Sequence, residues 1–174
     1  MAVTIYQDGE QIQSGMEIEG AIIAVGGSMH VSDNGIASLT TVSSGGQMHV
    51  SNAGSANQTT VLQSGSMYVS EGGIASTTLL YDGHSELYVS EGGIVSDTIV
   101  RLGTVYVSDG GIASATTISG GGMNVSRGGV ASATTMSFGF MRISEGGVVS
   151  DTIVRLGTVY VDGGIASATT ISGG

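Results

Sequence analysis

Histidine and tyrosine recur at one position of a repeating pattern, and they are the residues of this sequence with the widest chemical scope. The position is held by His30, His49, Tyr68, Tyr88, Tyr106 and Tyr160, each of which directly precedes a Val. We call this set the aromatic row. A Tyr side chain combines a large apolar contact area with a polar tip, so such a row suits contact with a sugar or with another protein. We therefore predict that the aromatic row is an adhesive face.

Catalytic and metal-binding patterns are missing from the sequence. The three His residues, His30, His49 and His84, have no Cys partners and no H-E-x-x-H spacing. The chain has no G-x-S-x-G and no P-loop, and no two carboxylates stand out from the repeat. We predict a protein that is not an enzyme, with no catalytic residues, no metal ligands and no cofactor.

Hydroxyl groups and carboxylates form two further rows after the Val. The first, the serine row, consists of Ser32, Ser51, Ser70, Ser90, Ser108, Ser126 and Ser144. The second, the acidic row, consists of Asp33, Asn52, Glu71, Glu91, Asp109, Arg127 and Glu145. Stacked carboxylates would attract Ca²⁺, but the repeat lacks the G-G-x-G-x-D nonapeptide of calcium-binding coils. A solvated turn is the simpler interpretation of the acidic row, with Ca²⁺ as the alternative.

These rows exist because the chain is a tandem repeat. An apolar anchor recurs 18–20 residues apart, at Ile12, Val31, Val50, Val69, Val89, Val107, Val125, Ile143 and Val161. After each anchor come a Gly-rich turn, a small apolar residue, a Thr and another apolar residue. After Val69 these are Gly72, Gly73, Ala75, Thr78 and Leu80. Residues 96–107 and 150–161 are identical and lie 54 positions apart (150 − 96), which indicates duplication of a three-repeat block.

Each repeat holds short apolar–polar alternations separated by Gly pairs, which is the pattern of short β-strands. Such strands are stable only when they stack on their copies in neighbouring repeats. We predict an all-β parallel β-solenoid of about nine coils of 18–20 residues, with the anchors inside and the aromatic and serine rows outside. It forms one domain, 1–174, in which 1–11 is a partial, degenerate first coil and 12–174 are the tandem repeats.

Composition excludes several classes of partner. With 4 Lys and Arg against 14 Asp and Glu, the net charge is −10, which opposes binding to nucleic acid or to an anionic membrane. No run reaches the roughly 18 apolar residues of a membrane helix, so we expect no membrane insertion of this segment. The sequence has no Cys, and it does not begin with the pattern of a signal peptide.

The repeat resembles the passenger repeat of AIDA-type autotransporter adhesins, in the form (S/G)-G-x-M-x-V-S-x-G-G-x-A-S-x-T-T-V-x-x-G. Residues 45–65 and 65–83 are clean instances, and the resemblance covers residues 9–174. It implies a right-handed parallel β-helix, secreted and held at the Gram-negative cell surface. It also implies cell adhesion, self-association with like rods, biofilm formation, and contact with host-cell surfaces or glycans.

The resemblance further implies O-glycosylation by a protein O-heptosyltransferase. The acceptors would be outward hydroxyls, namely Ser32, Ser51, Ser70, Ser90, Ser108, Ser126, Thr41, Thr60, Thr117 and Thr135.

Two other functions remain open at the level of sequence. An ice-binding solenoid would use the outward Thr residues, although Leu79, Ile99 and Ile153 interrupt them. A β-helix that binds or processes polysaccharide would use residues that depart from the repeat, and Phe138, Phe140 and Arg142 form the patch that we single out.

Overall fold

The chain forms a β-solenoid in which each coil contributes one short strand to each of three sheets. The computed structural model describes residues 4–5, 10–12 and 16–173, and the following strands belong to those ranges. Sheet A contains β1 Thr4–Ile5, β4 Ile22–Ile23, β7 Thr41–Val42, β10 Thr60–Val61, β13 Leu79–Leu80, β16 Ile99–Val100, β19 Thr117–Ile118, β22 Thr135–Met136, β25 Ile153–Val154 and β28 Thr170–Ile171.

The other two sheets have slightly longer strands. Sheet B contains β2 Glu10–Ile12, β5 Ser28–Val31, β8 Gln47–Val50, β11 Ser66–Val69, β14 Glu86–Val89, β17 Thr104–Val107, β20 Gly122–Val125, β23 Phe140–Ser144 and β26 Thr158–Asp162. Sheet C contains β3 Glu17–Glu19, β6 Ile36–Ser38, β9 Ser55–Asn57, β12 Ile74–Ser76, β15 Ile94–Ser96, β18 Ile112–Ser114, β21 Val130–Ser132, β24 Val148–Ser150 and β27 Ile165–Ser167.

Every strand pairs in parallel with the equivalent strand of the neighbouring coil. The anchor Val69 faces Val50 on one side and Val89 on the other, so the register follows the repeat. The predicted parallel β-solenoid is therefore confirmed, and each coil hydrogen-bonds only to the coils before and after it. We number the coils by their anchors, so that coil 2 contains Val31 and coil 4 contains Val69. The predicted limits of the first, partial coil lie partly outside the described residues and stay a prediction.

The core consists of the four apolar columns that the repeat predicts. In coil 4 they are Met67, Val69, Ala75 and Leu80, all with 0% exposure. Burial of a Val, Leu or Met side chain contributes about 1.5–3 kcal/mol, and the columns repeat this contribution in each coil. In the last described coil, Val161 is 53% exposed and Ile171 is 60% exposed, because no described coil packs on that side.

A column of threonines lies inside the solenoid beside the apolar columns. It consists of Thr40, Thr59, Thr78, Thr98, Thr116, Thr134 and Thr152, each at most 1% exposed. Five of these hydroxyls have no hydrogen-bond partner, namely those of Thr40, Thr78, Thr98, Thr116 and Thr134. An unsatisfied buried hydroxyl costs roughly 1–3 kcal/mol.

The Gly pair after most anchors has two separate causes, which coil 4 illustrates. Gly72 has a φ of 73°, in the left-handed region that glycine adopts without strain. Gly73 packs against the preceding coil so closely that an added Cβ would lie 2.2 Å from the carbonyl oxygen of Val50. The first glycine therefore makes the turn, and the second allows the close approach of two backbones.

A second turn in each coil also has positive φ, and from coil 2 onward it contains no glycine, whereas Gly20 holds the position in coil 1. Its residues are Leu39, Gln58, Thr77, Asp97, Ala115, Ala133, Asp151 and Ala168, with φ between 47° and 56°. It lies between the strands of sheets C and A, and the backbone N–H of Thr77 donates to the carbonyl of Ser96 in the next coil. The sequence analysis does not predict this turn, since no glycine marks it.

No helix in the described ranges is long and apolar enough to cross a membrane.

Candidate functional site

The parallel register of sheet B turns most of the aromatic row into a continuous stack of rings. The ring centroids are 4.7 Å apart between His30 and His49, and 4.7 Å apart between His49 and Tyr68. The distances are 5.0 Å from Tyr68 to Tyr88 and 4.8 Å from Tyr88 to Tyr106. The ring planes differ by at most 9°. We call these five residues the ring ladder.

The ring ladder is rigid and half-buried. Its spacing equals the distance between neighbouring strands, about 4.8 Å, so the backbone itself holds the rings in contact. Each aromatic pair contributes about 0.5–1.5 kcal/mol beyond the burial of its area. Two polar contacts fix the ends of side chains, since the hydroxyl of Tyr88 donates to Glu86 at 2.9 Å and the hydroxyl of Ser28 lies 3.1 Å from Nε2 of His30.

The sixth residue of the aromatic row does not join the ladder. Asn124 and Arg142 occupy the two positions between Tyr106 and Tyr160 in the same column. Tyr160 is 53% exposed, and the guanidinium carbon of Arg142 lies 5.9 Å from its ring centroid. The candidate adhesive face is therefore divided into an aromatic part over coils 2–6 and a cationic–aromatic part over coils 8 and 9.

Stacking and burial change the titration of two members of the ladder. Burial, together with the nearby charge of His30, lowers the pKa of His49 below its ordinary value of 6.5. Burial, followed by the hydrogen bond to Glu86, raises the pKa of Tyr88 above its ordinary value. Both shifts favour the uncharged form of the ring, so His49 and Tyr88 are neutral at pH 7.

The serine row lies beside the ladder, on the other side of the anchors. Ser51, Ser70, Ser90, Ser108 and Ser126 are half-buried. Ser32 differs, because it is only 8% exposed and its hydroxyl donates to Asp33 at 3.2 Å. Of the candidate acceptor threonines on the outer side of sheet A, Thr117 is exposed, and Thr41, Thr60 and Thr135 are half-buried.

The outer side of sheet A does not form a continuous threonine array. Ile99 is in register with Thr117, and Ile153 is in register with Thr135, so apolar side chains separate the hydroxyls. Ile99 and Ile153 are 42% and 46% exposed. The interruption that the sequence predicts for an ice-binding surface is therefore present in the folded chain.

The acidic row lies on exposed turns. Glu71, Glu91 and Asp109 all have positive φ and are exposed. In the part of the chain that the structure describes, no group of three or more His, Asp or Glu residues is placed to hold a metal ion. Ca²⁺ at this row stays a prediction.

Two outward features of the folded chain are not among those predicted from the sequence. The first is an apolar row on sheet C, which includes Ile36, Ile74, Ile94, Ile112 and Ile165, each 36–60% exposed. Its signal is an Ile or Val at the fifth position after most anchors. The second is the corner of coil 4, where the spacing from Val69 to Val89 lengthens to 20 residues (89 − 69) and the sequence Tyr81-Asp82-Gly83-His84 departs from every other repeat.

Among solved structures, a TibA fragment hyper-glycosylated by TibC matches the chain with a TM-score of 0.88 and 30% sequence identity. The match covers 99% of this chain and 68% of that chain. TibA is an AIDA-type autotransporter adhesin, and the fragment is part of its passenger. No protein-family model and no curated protein matches the chain.

The stacked coils and their outward rows define a β-solenoid of the autotransporter passenger type, which is a surface or extracellular structure. The chain belongs to the AIDA-type autotransporter adhesins, as the repeat predicts.

Proposed function

We propose that the chain is a non-enzymatic adhesive module of the Gram-negative cell surface, a rigid rod that associates side by side with like rods and so promotes adhesion, aggregation and biofilm formation. The observation that carries this proposal is the ring ladder. It is a rigid aromatic strip on the outside of a chain whose net charge is −10. A flat aromatic strip with polar tips gains contact area without loss of side-chain freedom, because the rings are already fixed.

Homotypic association follows from the geometry of the strip. Two rods have the same spacing between rings, so the ladder of one rod stays in register with the ladder of another along its whole length. Association needs a surface that outweighs the repulsion between two acidic chains, and the ring ladder offers five consecutive aromatic side chains on sheet B. Salt screens that repulsion within about 8–10 Å at 0.1–0.15 M, so association should strengthen with ionic strength.

Sedimentation velocity over a concentration series tests the proposal. We expect the unmodified chain to associate, and a variant with Tyr68→Ser, Tyr88→Ser and Tyr106→Ser to remain monomeric. The matched control carries Ile74→Ser, Ile94→Ser and Ile112→Ser on sheet C, and it should associate like the unmodified chain. Association that persists without the ring ladder, or that depends on the sheet C residues, would contradict the proposal.

We also propose that a protein O-heptosyltransferase modifies the outward hydroxyls. The support is the relative TibA, whose fragment was hyper-glycosylated by TibC, together with the half-buried or exposed state of the candidate acceptors other than Ser32. Co-expression with such an enzyme and site mapping by mass spectrometry tests this. Ser51, Ser70 and Thr117 should carry sugar and Ser32 should not, because Ser32 is 8% exposed.

A further inference from the structure

The corner of coil 4 carries the largest departure from the repeat, and it borders a groove. The groove has a volume of 350 Å³ and is lined by Ser43, Ser44, Leu62, Gln63, Tyr81 and Asp82. It runs over the corners of coils 2, 3 and 4, between sheets A and B. A volume of this size is at the lower end of the range for small-molecule sites, about 300–1,000 Å³.

The groove is built on rigid backbone. The parallel hydrogen bonds of sheet A continue past the strands, since the N–H of Leu62 donates to Val42 and the N–H of Tyr81 donates to Val61. Ser43, Leu62 and Tyr81 therefore form one column, and Ser44, Gln63 and Asp82 form the next. A polar or aromatic group stands at each of the three coils.

Two contacts hold the larger side chains in place. The backbone N–H of Gln63 donates to Oδ2 of Asp82 at 2.9 Å, and the hydroxyl of Ser85 donates to the carbonyl of Asp82 at 2.6 Å. The guanidinium carbon of Arg101, in coil 5, lies 5.3 Å from the ring centroid of Tyr81. Because Arg101 lies over the ring from the following coil, the groove lies on the other side of Tyr81.

The side chains around the groove are those that recognise sugar hydroxyls. Tyr81 is 48% exposed and offers an aromatic surface with a hydroxyl. Gln63 has both a donor and an acceptor, Ser43 and Ser44 have hydroxyls, and the carboxylate of Asp82 is an acceptor. Oδ1 of Asp82 is buried and has no hydrogen-bond partner in the protein.

We infer that this groove is a binding site for a neutral saccharide. An anionic ligand is disfavoured because Asp82 lines the groove and the whole chain has a net charge of −10, so a carboxylated sugar would be repelled. The site lies on a different face from the ring ladder. The inferred site would give the proposed adhesive rod a saccharide ligand. The inference does not depend on whether the rods associate.

Amide chemical shifts in the complete chain test the inference, with methyl glycosides of neutral hexoses and N-acetylhexosamines as probes and glucuronic acid as the charged counterpart. A ligand of this size should bind with a dissociation constant on the order of 1 mM or weaker. At least one neutral glycoside should shift the amides of residues 43–44, 62–63 and 81–82, and glucuronic acid should not.

Variants locate the site. Tyr81→Ser and Asp82→Asn should each weaken binding at least about fivefold, while thermal unfolding confirms that the coils remain folded. Leu156→Ser is the matched control, since Leu156 occupies the position of Asp82 in coil 8 and is 47% exposed. It should bind like the unmodified chain.

The inference is overturned if no neutral glycoside shifts these amides, if binding survives both corner variants, or if glucuronic acid binds equally well. The variant with Tyr68→Ser, Tyr88→Ser and Tyr106→Ser separates this result from the proposed self-association. It should lose association and keep saccharide binding. If the ring-ladder variant lost saccharide binding while Tyr81→Ser and Asp82→Asn kept it, the saccharide would bind at the ring ladder. That result would contradict a site in the groove.

Discussion

At the scale of single residues, the position of His49 in the ring ladder favours its uncharged form. His49 is stacked between His30 and Tyr68 at 4.7 Å on each side. A proton on His49 would place a charge between two rings and beside a second His. The sequence shows that His and Tyr share a column, but the lowered pKa follows only from the stacked, half-buried geometry.

The lowered pKa of His49 predicts a loss of stability in acid. Below its ordinary value of 6.5, the unfolded chain binds a proton at this residue more readily than the folded chain does. The free energy of unfolding therefore decreases as the pH falls through that value and continues to decrease until the folded protein is also protonated. Urea unfolding at pH 7.5 and at pH 5 measures the difference.

The variant His49→Tyr should reduce this pH dependence, because it replaces His49 with the residue that stacks in later coils. His84→Gln, at an exposed corner, is the control and should keep it. An equal pH dependence in the unmodified chain and in His49→Tyr would count against the role of His49.

The buried threonine column gives a second prediction at this scale. Thr78 is 1% exposed and its hydroxyl has no partner. Thr78→Val has nearly the same shape and removes the unsatisfied group, so the free energy of unfolding should rise by about 1 kcal/mol. For a chain of this size that corresponds to roughly 2–4 °C in Tm.

Thr152→Val is the matched control for Thr78→Val. The hydroxyl of Thr152 donates to the carbonyl of Ser150 at 3.4 Å, so its removal loses a contact. The gain in Tm should be smaller than for Thr78→Val. An equal gain at both positions would show that the unsatisfied hydroxyl is not the cause.

At the scale of the structural elements, the turn between sheets B and C contains glycine, and the turn between sheets C and A contains none from coil 2 onward. The Gly pair at Gly72 and Gly73 is visible in the sequence, and it correctly predicts a turn. The turn at Thr77 has the same sign of φ, 56°, but its residues vary among Leu, Gln, Thr, Asp and Ala. Its conformation comes from stacking on the neighbouring coils, and side-chain preference gives no signal of it.

The strain at Thr77 can be relieved by substitution. A β-branched residue with positive φ is an outlier, with a cost of about 1–2 kcal/mol, whereas glycine adopts the same φ freely. Glycine loses about 0.5–1 kcal/mol through the entropy of the unfolded chain. Thr77→Gly should therefore raise the free energy of unfolding by about 0.5–1 kcal/mol in chemical denaturation.

The opposite result is expected where the backbone is extended. Thr60→Gly, in a strand of sheet A, should lower the free energy of unfolding by about 1 kcal/mol, because a strand interior disfavours glycine. A decrease for both variants would mean that the positive φ of Thr77 carries no strain that glycine relieves.

At the same scale, the repeat predicts strands and columns well but does not predict irregular corners. Aligning the sequence on anchors such as Val69 and Val89 treats the extra residues between them as an insertion. Tyr81 and Asp82 come before the extra residues and stay in the columns of Leu62 and Gln63. Only the folded chain shows that these columns line a groove together with Ser43 and Ser44.

At the scale of the whole molecule, the outer faces of the rod have different characters. Sheet B carries the ring ladder and the serine row, sheet C an apolar row of isoleucines, and sheet A isolated hydroxyls between Ile and Leu. The alternation of residues along each repeat predicts which side chains point outward. The break in the aromatic row at Asn124 and Arg142 is also readable from the sequence, but the stacking distances are not.

Because each coil contacts only its two neighbours, mutations that add or remove whole coils can change the length of the rod. Residues 96–107 recur unchanged at 150–161, three coils later, and Ile99 and Ile153 have similar exposure in both places. Recombination between such copies would add or remove three coils, or about 14 Å at the spacing of parallel strands, and leave every remaining contact intact. The length of the rod can thus change in evolution through the number of coils, while the surfaces of the remaining coils stay the same.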